Sequence, residues 1–166
     1  MKNIVLIGMP GAGKSTIGVI LAKVLGMSFI DSDLLIQNQE GMLLKEIIKN
    51  KGLQGYLAIE NQVNRDIVVE NTVIATGGSV IYCSEAMEHF NNSSKVVYIK
   101  LGYDTINKRL CDIRQRGVVL RHGQTLHDLY MERCPLYEKY AHIVVDAEGL
   151  GIEELMEKIC TEAKCK

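Results

Sequence analysis

Apolar residues along the chain recur in two rhythms. Short runs rich in β-branched side chains, at 3–7, 28–30, 72–75, 95–99 and 143–145, predict five strands. Between them, apolar positions spaced three or four apart predict helices over 14–25, 44–48, 56–69, about 103–116, 126–139 and 152–163. The first of these helices is stopped by Gly26. Strands alternating with helices, in a chain with only two prolines, predict a three-layer α/β fold with a parallel sheet covered on both faces. Residues 114–125, rich in Arg, Gly and Gln, follow neither rhythm and suit a mobile flap.

Composition narrows the classes. At 166 residues a single domain is expected, with no repeat or linker dividing it. Nineteen basic against 20 acidic residues leave a net charge of −1, so no bulk positive field draws in nucleic acid or an anionic membrane. The first apolar run, Ile4 to Ile7, is too short for a signal peptide or a membrane span. Five scattered cysteines, never spaced Cys-x-x-Cys, point to reduced thiols in a cytoplasmic protein, and a monomer is expected. The four histidines have no metal-ligand spacing.

The chemistry is concentrated first at Gly8-Met9-Pro10-Gly11-Ala12-Gly13-Lys14-Ser15, which fits G-x-x-x-x-G-K-[ST] between a predicted strand and a predicted helix. Glycines at 8, 11 and 13 let the backbone curl so that N–H groups, including that of Ala12, point at phosphate oxygens. Lys14 adds a cation for the terminal phosphates, the Ser15 hydroxyl is placed for Mg²⁺, and Thr16 completes the loop. A GTPase is disfavoured. Asp146-Ala147-Glu148-Gly149 has the form D-x-x-G but stands behind the last strand, and Asn107-Lys108 lacks the acid that would read guanine, Leu110 standing there instead.

Further positions, taken in order, resemble the shikimate kinase family from residue 3 to about 146. They are Asp31-Ser32-Asp33 after the second strand, Ala75-Thr76-Gly77-Gly78 after the third, Arg116 heading the flap, and Arg133-Cys134-Pro135-Leu136-Tyr137 on the next helix. The resemblance implies a P-loop kinase that uses ATP and Mg²⁺ to phosphorylate a small-molecule hydroxyl, with shikimate as acceptor. It implies that Asp31 holds Mg²⁺ through water and that Asp33 orients the attacking hydroxyl and takes its proton. Gly77, Gly78, Glu60 and Arg133 would line the acceptor site, Arg116 would neutralise charge on the transferred group, and Arg109 would stack on adenine. Either aspartate could instead merely cap the following helix.

The pattern breaks on the acceptor side. Where the family carries Phe-Arg-x-x-Glu, with the arginine gripping the acceptor carboxylate, this chain reads Tyr56-Leu57-Ala58-Ile59-Glu60. Losing a charge-assisted hydrogen bond of about 1.5–3 kcal/mol weakens carboxylate binding about tenfold to a hundredfold. Arg133 is left as the matched cation facing Asp33 and Glu60, and could pair with Glu60. Ser79 stands where the family has a third glycine, and is expected to cost about 1 kcal/mol if that residue needs positive φ. The flap's Arg-Pro becomes Arg116-Gly117. These changes leave room for a less anionic polyol or cyclitol as acceptor, or for an ATP-binding module that no longer catalyses.

Overall fold

Every residue of Asn3–Ile7 is buried, and this run forms β1, the middle of a parallel sheet. The structure, a computed structural model, describes residues 2–110, 118 and 120–164. Among them five strands stand in the order β2-β3-β1-β4-β5, with β2 Ser28–Asp31, β3 Thr72–Ala75, β4 Ser94–Lys100 and β5 Ile143–Asp146. Leu6 lies in register with Ala75 and Val97, so the carboxyl ends of the three inner strands emerge together. Ligands of α/β sheets collect at that edge.

Two groups of helices bury β1 from both sides. Helix α1, Lys14–Leu25, and α7, Ile152–Lys164, contact each other and pack on β1 to β3 and on β5. The second group includes α3 Leu44–Arg65, α4 Ser84–Ser93, α6 Leu126–Tyr140 and a 3-10 turn at Val80–Tyr82. The five expected strands and the three-layer class hold, with ends moved by one residue. Helix α6 reaches Tyr140 and α7 reaches Lys164.

Three expectations change. The stretches at 44–48 and 56–69 are one element, α3, broken at Gly52 (φ 69°, ψ 178°) and ended at Arg65. Helix α2, Ser32–Glu40, follows β2 directly; Leu34 and Leu35 are exposed and Ile36 alone of its apolar residues is fully buried, so no apolar stripe announces it. Helix α4 likewise hides Ala86, Met87 and Phe90 in an otherwise polar segment. The described part of the helix at 103–116 is α5, Tyr103–Arg109. Arg116 and the other first residues of the expected flap, 114–117, together with 119, lie outside the described residues.

A second small core joins α2 to α3 through Ile36, Ile47, Tyr56 and Val63. Each fully buried Ile contributes about 1.5–3 kcal/mol. Ile36 and Ile47 thereby clamp α2 to α3, and Tyr56 is carried to the carboxyl edge of the sheet.

Candidate active site

The loop between β1 and α1 is shaped by its glycines. A Cβ on Gly8 would sit 2.8 Å from the Ile99 carbonyl oxygen, and Gly13 opens α1 at φ 90°. Lys14 Nζ donates to the Gly8 and Met9 carbonyls at 2.8 and 2.9 Å. Burial lowers its pKa to about 8, against the pull of Asp33. The structure brings Gly11, Gly13, Lys14, Ser15 and Thr16 to one cavity of about 290 Å³.

Beside this loop lies a cavity of about 220 Å³ whose walls include Ala12, Thr16, Ile17, Leu101, Arg109 and Leu150. Arg109 reaches it from α5 and donates from Nη1 to the Gly11 carbonyl at 3.2 Å. Leu101 and Leu150 were not anticipated as site residues. Their side of the slot is built by the segment that mimics D-x-x-G: Asp146 Oδ1 accepts from Glu148 N, and Glu148 Oε2 accepts from Gly102 N at 2.8 Å. That acid ties the loop after β5 to the start of α5.

Asp31 serves two neighbours at once. Its Oδ1 accepts from Asp33 N and Leu34 N, capping α2, while Oδ2 accepts the Ser15 hydroxyl at 2.6 Å. Capping α2 therefore does not keep Asp31 from meeting the phosphate loop. Among the described residues no group of three His, Cys, Asp or Glu side chains could hold a metal by itself. The Ser15–Asp31 pair is an oxygen-only anchor beside a phosphate cradle, which suits Mg²⁺ completed by water and phosphate.

Across the same cavity stand Asp33, Gly77, Gly78 and Arg133. Burial, reinforced by Asp31, raises the Asp33 pKa to about 6, with Lys14 opposing. Arg133 is 1% exposed, with its guanidinium carbon 5.3 Å from the centre of the Tyr82 ring. A Cβ on Gly78 would strike the Pro10 ring at 2.7 Å and lie 3.1 Å from Arg133 Nη1, while Tyr137 donates to the Gly78 carbonyl at 2.6 Å. Glycine is required here for closeness.

The altered positions have distinct fates. Tyr56 lines this cavity, whereas Leu57 lines a neighbouring one of about 230 Å³ with Leu53, Tyr82, Arg121 and Leu129. Ser79 has φ −90° and ψ −4°, so the expected left-handed strain does not arise. Its hydroxyl donates to Glu60 Oε2 at 2.6 Å. The carboxylate left without an arginine at position 57 is thus held by Ser79.

A family model described as shikimate kinase matches residues 10–164. The shikimate kinase of Thermodesulfovibrio yellowstonii is 36% identical over 165 residues, covering 98% of this chain and 95% of that protein. That of Francisella tularensis subsp. novicida is 37% identical over 164 residues, covering 96% and 93%. The structure of Acinetobacter baumannii shikimate kinase in complex with shikimate superposes with a TM-score of 0.91 at 30% identity, covering 99% of this chain and 94% of that one. With the phosphate loop, Asp33 and the double glycine all on one cavity and Asp31 bonded to Ser15 beside it, the chain belongs to the shikimate kinase family.

Proposed function

We propose that the chain transfers the γ-phosphoryl group of ATP to a hydroxyl of shikimate, giving shikimate 3-phosphate and ADP. The carrying observation is the single cavity with Lys14 and the loop N–H groups on one wall and Asp33, Gly77 and Arg133 on the other. Phosphoryl transfer depends on positioning and on charge stabilisation, and this cavity supplies groups for both.

The loop and Lys14 hold the phosphates, and the slot beside Arg109 takes the base. Ser15 and Asp31 would hold Mg²⁺, which supplies positive charge to the phosphates. Asp33, with a pKa near 6 and therefore ionised at neutral pH, orients the attacking hydroxyl and accepts its proton as oxygen bonds to phosphorus and the bond to ADP breaks. Arg133 receives the acceptor carboxylate. Arg116 is assigned to the transferred group on the family pattern. The free thiols Cys83, Cys134 and Cys160 support a cytoplasmic setting, and a monomer is the working assembly.

A coupled assay of ADP release at saturating ATP·Mg²⁺, with and without shikimate, tests the reading. Shikimate-dependent turnover well above background ATPase is expected; its absence, with phosphorylation of a neutral cyclitol, would overturn the acceptor.

A further inference from the structure

Glu60 is 0% exposed on α3, and its two oxygens are bonded unequally. Oε2 accepts the Ser79 hydroxyl at 2.6 Å and lies 3.9 Å from Cys83 Sγ. Oε1 is buried and has no hydrogen-bond partner among the described residues. The same is true of Asp33 Oδ1. A Cβ built on Gly77 would lie 2.7 Å from each of these two atoms, so they flank Gly77, which with Asp33 lines the cavity of about 290 Å³. A buried acceptor without a donor is costly, so two of them facing one space call for a ligand carrying donors. Adjacent hydroxyls on a ring are such donors.

Ser79 precedes the 3-10 turn, yet its hydroxyl makes no capping bond to the backbone. Its polar group is committed to Glu60, and the Tyr56 hydroxyl interacts with it from the cavity side. We propose that Ser79 is a positioning residue for acceptor binding: by holding Oε2 it turns Oε1 of Glu60 toward Gly77, where Glu60 and Asp33 together receive hydroxyls of the acceptor. In this chain a serine holds the glutamate that the family pattern sets beside an arginine at position 57. The role rests on the acceptor reading of this cavity and deepens it.

Steady-state kinetics of the wild type, Ser79→Ala, Glu60→Gln and the double variant, varying shikimate and ATP separately, decide the matter. Ser79→Ala is expected to raise the shikimate KM about tenfold while kcat and the ATP KM stay within about twofold. Because Ser79 acts through Glu60, the double variant should be no worse than Glu60→Gln alone. Should Ser79→Ala fold poorly, Ser79→Gly carries the same expectation, since the turn's backbone does not depend on the side chain. An unchanged shikimate KM, an ATP KM rising in step, or additive losses in the double variant would overturn the role of Ser79 and leave the acceptor reading standing. A wild type that does not turn over shikimate would overturn both.

Discussion

The Ser15 hydroxyl meets Asp31 Oδ2 at 2.6 Å, while the other oxygen of Asp31 caps α2. Asp31→Asn can keep one oxygen on the helix end, so it should fold normally yet lose the anionic partner of the metal. Activity at limiting Mg²⁺ should fall about tenfold to a hundredfold and recover partly as Mg²⁺ is raised. Asp31→Ala should lose about 1 kcal/mol of stability as well, through the missing cap. Mg²⁺ titration of turnover alongside thermal melts separates the two effects; loss of activity indifferent to Mg²⁺ would contradict the metal role.

Gly77→Ala places a methyl 2.7 Å from both Asp33 Oδ1 and Glu60 Oε1. The backbone there does not need positive φ, so the damage should be confined to the acceptor space. We expect kcat/KM for shikimate to drop about a hundredfold or more. Nucleotide affinity, read by fluorescent ATP-analogue titration, should barely move. Equal loss of nucleotide binding would place the acceptor elsewhere.

The phosphate loop was legible because its chemistry is written in contiguous residues, Gly8 to Ser15, and a strand and helix on either side gave the context. Asp31 and Asp33 were legible for the same reason. The Ser79–Glu60 contact was not, because it joins residues 19 apart across α3 and the turn after β3. Position in sequence raised only the question of backbone strain at Ser79, and its right-handed φ answers it. Nor could the sequence tell that Tyr56 and Leu57, being neighbours on a helix, would face different cavities. The proposed base slot was half legible: Arg109 carried a family cue, whereas Leu101 and Leu150 are ordinary apolar residues that line it beside the Glu148 tie.

Leu57→Arg should not by itself rebuild the family's carboxylate grip. Position 57 opens on Leu53, Leu129 and Tyr82, with Arg121 nearby, and Ser79 already occupies one oxygen of Glu60. The lone substitution should cost about 2 kcal/mol of stability, with little gain in shikimate affinity. Positions 57 and 60 are neighbours on the helix surface, so freeing Glu60 with Ser79→Gly lets the new guanidinium pair with it. The double variant should regain stability and lower the shikimate KM about tenfold relative to Leu57→Arg alone. Ser79→Gly would then harm the wild type and help Leu57→Arg. Melting temperatures and KM values of the four proteins test this, and additive effects would refute the coupling.

Glu60 should also set a pH dependence of stability. Burial raises its pKa from 4.5 to about 7, against the Ser79 hydrogen bond and with Asp33 adding to the rise. Between those values the folded protein keeps a proton that the unfolded chain has released. The folded state then binds more protons, so stability falls as pH climbs through this window, by about 3 kcal/mol at most. Glu60→Gln has no such proton to lose. Its amide can still accept from Ser79 and can offer an N–H toward Asp33 Oδ1. The variant should match the wild type near pH 4.5 and melt about 5–10 °C higher at pH 8, while binding shikimate less well. Melting curves at the two pH values provide the check. A Glu60→Gln protein less stable than the wild type at pH 8 would mean that the carboxylate is better satisfied than its burial implies, and that Oε1 is not waiting for a ligand.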